Sequence, residues 1–268
     1  MPQIAMIALC ESAGSNLGPA AQRHIDLAFR ELLRGPGATV DASMVRLVTG
    51  EPHPFANFVL QRCSHDADAM RVAIAPLVER NAPAAVIATE PVSDAVRAVL
   101  GGTGFESHDP MPAMAVDIAR LPMLSLADGY AFERIEPSAS SQEWGDAFVR
   151  GYELPPAIAV SFSPDPAKPG CRPDDVIQWF AVRRAGAIVA TTVLLLAGGL
   201  AGIYAVSTLR DHRRRGLGAF LTVEACRAAA RAGYRVGVLQ ASPDGYPVYA
   251  KLGFTTVGAV PLYVRMPA

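Results

Sequence analysis

The stretch that most restricts the fold is Arg213-Arg-Arg-Gly216-Leu-Gly218, set between an apolar run and a helical one. Ala201 to Leu209, just before it, carries no charge and reads as a strand. Leu217 to Ala232, just after it, places Leu217, Leu221, Ala225 and Ala228 on one face and Glu224, Arg227 and Arg231 on the other. Gly233 then stops it, so this run reads as a helix. A helix that starts on a glycine turn offers unpaired backbone N–H groups and the positive end of a dipole, which suits a phosphate. Gly216 and Gly218 lack a Cβ, so a ligand can come close to the backbone.

The phosphate ligand is constrained by what the turn is not. It is neither G-x-x-x-x-G-K-[ST] nor G-x-G-x-x-G, and no acidic ribose-binding residue stands about 20 residues on. It fits [RQ]-x-x-G-x-[GA], with Arg213, Gly216 and Gly218 in the named slots. Downstream come an apolar run, Arg235 to Gln240, and then Tyr249-Ala-Lys-Leu-Gly253-Phe254. These two motifs, in this order and at this separation, resemble the GNAT superfamily of acyl-CoA N-acyltransferases, where Y-x-x-x-G-F ends the helix after the fifth strand.

Around this core, Tyr130–Ile135, Asp175–Arg184, Ala187–Leu196, Leu200–Leu209, Val236–Gln240 and Phe254–Val264 read as strands, the last as one strand or a hairpin. Arg184-Ala-Gly186 reads as a turn, and Ser140-Ser-Gln-Glu143 as a capping box opening a helix through Arg150. Four prolines between Ser161 and Asp174 exclude regular structure there, leaving a lid or a plain surface loop.

The first half reads as a strand at Met1–Cys10, helix Gly18–Leu33, strands Thr39–Val48 and Phe55–Gln61, and helix Ala67–Glu79. Strand Ala84–Ala88, helix Val92–Leu100 and an apolar strand opened by Gly104-Phe105 follow. This order of strand, helix, Gly-Phe and strand matches Val236 to Val264, which indicates an internal duplication. The first copy is degenerate: Leu100 takes the slot of Tyr249, and Arg34-Gly-Pro-Gly37 ends a helix instead of opening one. The resemblance thus implies an α/β (α+β) fold of two tandem GNAT-like domains. Residues 1–128 form a degenerate copy and 129–268 a complete catalytic copy. Each has a mixed, largely antiparallel central sheet flanked by helices.

Composition removes other classes. The formal net charge is −1, so no global field favours nucleic acid or a membrane surface. The four cysteines are scattered with no metal-ligand spacing, which points to a reduced, cytoplasmic setting and no metal. The uncharged run Ile188–Val206 is split by Gly198-Gly199 and reads as a hairpin, not a membrane span. Met1–Cys10 lacks the basic segment of a signal peptide.

By resemblance, the ligand is acetyl-CoA, used as co-substrate for transfer to an amine on a small molecule or peptide, with a homodimer left open. The pyrophosphate would lie on the backbone of Arg214, Arg215, Gly216, Leu217, Gly218 and Ala219. Arg213 serves either the phosphate or the local structure. The pantetheine arm would pair with Val206, Ser207 and Thr208, where a backbone N–H polarises the thioester carbonyl. Arg210 stands where the family often has a proline. Ser242 fills a slot commonly held by Asn, and either bonds the cofactor or caps the next helix. Tyr249 is the candidate general acid for the departing thiolate, with Tyr246 one turn earlier as its backup. Carboxylate slots on the fourth and fifth strands hold Gly202 and Gly237, so no base is assigned. Tyr204, on the fourth strand, is a poor base unless its pKa is lowered. The alternatives to acetyl transfer are a non-catalytic acyl-CoA-binding protein and transfer of a longer acyl or aminoacyl group.

Overall fold

The computed structural model describes residues 17–62, 65–136, 140–164 and 176–267. The expected Met1–Cys10 strand and most of the proline-rich segment after Ser161 lie outside them. In chain order the elements are α1 (Leu17–Leu32), β1 (Ala38–Val40), β2 (Met44–Val48), β3 (Asn57–Gln61), α2 (Ala67–Glu79), β4 (Ala84–Ala88), α3 (Asp94–Gly102) and β5 (Glu106–Asp117). The second half continues with β6 (Tyr130–Ile135), α4 (Ser140–Tyr152), α5 (Ala159–Phe162), β7 (Ile177–Arg184), β8 (Ala187–Ala197) and β9 (Leu200–Thr208). It closes with α6 (Leu217–Arg231), β10 (Val236–Gln240), α7 (Tyr246–Leu252) and β11 (Thr255–Arg265).

The eleven strands of the described residues form one sheet, in the order β1-β2-β3-β4-β11-β5-β10-β9-β8-β7-β6. The halves therefore do not keep separate sheets. Each gives its last strand to the other: β11 lies between β4 and β5, and β5 lies between β11 and β10. An interior strand has both of its backbone edges paired, so the exchange removes two open edges. Layers of helices bury an apolar core on both faces, α1 and α4 on one side and α6 on the other. Across the seam Arg265 donates to the Thr103 carbonyl at 3.0 Å and pairs with Asn81 at 2.7 Å, which locks the end of β11 to the first half.

Two helices, one in each half, end in the same local geometry. Phe105 N–H donates to the Leu100 carbonyl at 2.9 Å, and Phe254 N–H donates to the Tyr249 carbonyl at 3.0 Å. Gly104 and Gly253 both sit at positive φ to end their helices (81° and 95°), a conformation that favours glycine. Each half also has one parallel strand pair bridged by a helix: β3 and β4 across α2, β9 and β10 across α6.

Most boundaries fall where patterning puts them. The run Thr39–Val48, expected as one strand, is a hairpin of β1 and β2. Asp41 breaks it by accepting from the N–H groups of Ser43 and Met44 (2.8 and 3.1 Å), a local bond that competes with the strand ladder. Pro54–Ala56 is a 3-10 turn before β3, since its proline cannot donate to a ladder. The end of the chain is one long strand, β11, not a hairpin. Its pairing with β5 shifts register twice. Glu143 ties α4 to the β7–β8 hairpin: its carboxylate accepts from the Ile188 N–H at 3.0 Å and from Arg183 at 2.8 Å.

Candidate active site

The site begins where two parallel strands part. Strands β9 and β10 pair only at Ala201–Gly237 and Gly202–Val238. Beyond Gly202, β9 continues to Thr208 with a partner on the β8 side alone. A bulge sharpens the divergence. Two β9 residues, Ala205 and Val206, face one on β8, so β9 carries one extra residue, and Ala205 takes a left-handed φ of 51°. The hydroxyls of Thr191 and Thr192 on β8 donate to the carbonyls of Ala205 and Tyr204 at 3.0 and 3.1 Å, so the bulge leaves neither acceptor unpaired. The result is a wedge with an unpaired strand edge along one wall.

The start of α6 stands at this wedge. Gly216 is its N-cap, with φ 77° and no side-chain cap, and the first bond into the helix runs from Phe220 N–H to the Gly216 carbonyl at 2.9 Å. The N–H groups of Leu217, Gly218 and Ala219 precede that bond and are left for an outside acceptor. A Cβ on Gly216 would meet nothing within 4 Å, so the glycine faces open space. Gly218 lies against Val206, which brings the helix start to the strand edge. Arg214, at φ 63°, and Arg215 are exposed beside it.

Three of the expected ligand residues do structural work with their side chains. The Arg213 guanidinium donates to the carbonyls of Gly151 (2.8 Å) and Thr208 (3.2 Å) and reaches Glu153 at 3.3 Å. It braces the turn instead of projecting toward a phosphate. The Ser207 side chain is buried and donates to the Phe148 carbonyl at 3.1 Å, so only its backbone belongs to the wedge. Ser242 acts as a cap: its Oγ accepts from the Gly245 N–H at 3.1 Å.

Tyr249, on α7, is 8% exposed and packs against Phe254 with ring centroids 5.9 Å apart. Burial raises its pKa well above the ordinary phenol value, and neighbouring Tyr152 pushes it further. Tyr152 closes α4. Desolvation raises its pKa to about 12. Burial thus favours the neutral phenol of Tyr249, which can donate a hydrogen bond. Tyr246 points outward, 40% exposed, with its hydroxyl 3.5 Å from that of Thr256.

One site residue escaped sequence reasoning. His24, on α1, is 1% exposed and lies over Gly202: a Cβ there would fall 2.4 Å from its Cε1 and 2.5 Å from its Nδ1. The slot that appears empty in sequence is filled by an imidazole from the other half of the chain. His24 Nδ1 is 2.8 Å from the Tyr204 hydroxyl, and the two rings stack at 5.9 Å. Burial pulls the His24 pKa down to about 4, against the nearby backbone groups of Leu200 and Ala197. Burial also raises Tyr204 well above the usual phenol range. Gly237 is likewise filled, by Cys226, Val116 and Ile203. His212 is held at the edge of the sheet, 3.1 Å from the Tyr130 hydroxyl.

This arrangement agrees with a family model, the Acetyltransferase (GNAT) family, which matches residues 145–254. That segment is a GNAT domain. Solved structures share the wider fold. The GNAT domain and its N-terminal partner together are similar to the GCN5-related N-acetyltransferase from Kribbella flavida, with TM-score 0.60 and 21% identity over 95% of this chain and 97% of that one. A functionally unknown conserved protein from Staphylococcus epidermidis is similar at TM-score 0.54 and 13% identity, over 90% and 98%. The GCN5-related N-acetyltransferase from Sphaerobacter thermophilus is similar at TM-score 0.53 and 18% identity, over 75% and 64%. No curated protein matches the chain. Among the described residues, no helix is long and apolar enough to cross a membrane.

Proposed function

We propose that the GNAT domain moves an acetyl group from acetyl-CoA to a primary amine by direct attack in a ternary complex. The observation that carries this reading is the wedge between β9 and β10 beside the uncapped start of α6. A pyrophosphate on the amides of Arg214 to Ala219 would gain charge-assisted hydrogen bonds and the helix dipole. A peptide-like arm laid in the wedge would pair with the free edge at Val206 to Thr208. A thioester carbonyl there would meet a backbone N–H as its oxyanion develops. The amine lone pair attacks the carbonyl carbon, the tetrahedral centre collapses, and the thiolate leaves. Tyr249, kept protonated by burial, donates to that sulfur.

The first half reads as a degenerate copy with no cofactor of its own. Strands β3 and β4 stay paired from Phe58–Ala85 through Gln61–Ala88, so no wedge opens. The start of α2 is already occupied: the Asp66 carboxylate accepts from the N–H groups of Asp68 and Ala69 at 3.0 and 2.9 Å. A carboxylate there repels a phosphate as well as taking its donors.

Thiol release from acetyl-CoA, measured against a broad panel of primary amines alongside calorimetric binding of acetyl-CoA, tests the proposal. Binding and amine-dependent release are the expected results. Binding without release for any amine would leave an acyl-CoA-binding protein as the better account.

A further inference from the structure

The GNAT domain has no carboxylate at Gly202 or Gly237, yet a proton must leave the amine nitrogen once the new C–N bond forms. We infer that Tyr204 and His24 are the proton relay for this step, with the first half of the chain supplying the acceptor of the proton. The inference rests on the acetyl-transfer reading above.

Three observations carry it. Tyr204 is partly exposed and stands two residues past the last β9–β10 pair, where the strands part. Its hydroxyl is 2.8 Å from His24 Nδ1, a normal hydrogen-bond distance. His24 is buried, and the one side chain that hydrogen-bonds its ring among the described residues is Tyr204, at Nδ1; the backbone at Leu200 and Ala197 lies close to the ring. A purely apolar packing role would be filled at lower cost by a phenyl or aliphatic group, because burying an imidazole costs solvation that an apolar group does not have to lose. Gly202 is the complementary adaptation, since any side chain there would displace the imidazole.

The chemistry balances. The relay requires the Nε2–H tautomer, in which the Tyr204 O–H donates to Nδ1. When the amine has added to the thioester, its N–H bond breaks toward the Tyr204 oxygen as the Tyr204 O–H bond breaks toward Nδ1. The phenol ends as it began, and the imidazole carries the proton. Tyr249 donates a hydrogen bond to the departing thiolate, which leaves as the thiolate or takes a proton from water, and His24 returns its proton to water by way of Tyr204. Tyr204 alone could not act as the base, because burial keeps it protonated. The imidazole behind it supplies the lone pair. Tyr204 is thus the catalytic residue, and His24 acts through it.

The full-length chain tests this in two measurements. First, amine-dependent thiol release from acetyl-CoA is compared for wild type, Tyr204→Phe and His24→Gln. Tyr204→Phe keeps the ring and its stacking, so it remains informative if His24→Gln fails to fold. The expected result is a kcat lower by about 10- to 100-fold with KM for acetyl-CoA changed by less than about twofold. Second, nitrogen-detected NMR of histidine-labelled protein, with His24 assigned by its loss in His24→Gln, should show an Nε2–H tautomer. Its Nδ1 signal should move in Tyr204→Phe. A merely structural pair would change melting temperature and KM without a selective loss of kcat. Unchanged kcat in Tyr204→Phe with an active wild type overturns the relay alone, as does an Nδ1 signal unmoved by that substitution. A wild type that binds acetyl-CoA but acylates no amine overturns the acetyl-transfer reading and the relay with it.

Discussion

The Arg213 guanidinium lies 2.8 Å from the Gly151 carbonyl and so fastens the turn before α6 to the end of α4. The motif's arginine thus braces the glycine turn from behind. The contact sits close to where α4 meets β9, since a Cβ on Gly151 would fall 1.9 Å from Ser207 Oγ.

Arg213→Gln should lower stability by about 1 kcal/mol, because it removes charge-assisted hydrogen bonds from a partly exposed side chain. Urea denaturation would measure this. Arg214→Gln should leave stability within about 0.5 kcal/mol of wild type, as expected of an exposed site. An equal loss in both variants would contradict the bracing role.

Gly216 separates space from charge. Gly216→Ala meets nothing within 4 Å and should cost only the left-handed strain, about 1 kcal/mol. Gly216→Glu sets an anion over the amides of α6 and should abolish acetyl-CoA binding in calorimetry. Retained affinity in the glutamate variant would remove the pyrophosphate from this helix.

Saturation binding should give one acetyl-CoA per chain. The unbroken pairing of β3 with β4 leaves no wedge between them, and the Asp66 cap takes amides at the start of α2. A stoichiometry of two would refute the degenerate-copy reading.

Tyr249→Phe should lower kcat by roughly tenfold to a thousandfold, on the order of 1.4–4 kcal/mol of barrier, with little change in acetyl-CoA binding. Tyr246→Phe should have a much smaller effect, as Tyr246 faces outward. Steady-state rates with the best amine from the panel would decide it. Wild-type turnover in Tyr249→Phe would move the proton donor to another group or to water.

His24 predicts an acid-sensitive fold. Its pKa falls from 6.5 in the unfolded chain to about 4 in the folded one, so between these values the unfolded chain binds the extra proton. The stabilisation is fully present above pH 6.5 and is lost as pH falls through 4, about 3 kcal/mol in all. Denaturation curves across this window should slope more steeply for wild type than for His24→Gln. Parallel slopes would mean that the ring is protonated or solvated when folded.

The sequence by itself determined the parts whose signals are local. The strand, glycine turn and helix from Ala201 to Gly233 follow from apolar periodicity and from glycines at positions that need them. The same holds for Tyr249 before Gly253-Phe254 and for its echo at Leu100 before Gly104-Phe105. Strand pairing was not legible, because nothing local to β5 or β11 says that each crosses into the other half. That choice belongs to the whole sheet, where the exchange satisfies four backbone edges together. The roles of Arg213 and Ser207 were also decided only in three dimensions, since both spend their side chains on carbonyls of α4. His24 shows the limit most plainly. It stands 180 residues from Tyr204, and a glycine at 202 looks like an absent side chain until α1 packs across the sheet and puts an imidazole there. A side chain's chemistry is written in the sequence, but the space it enters belongs to whatever the fold brings opposite.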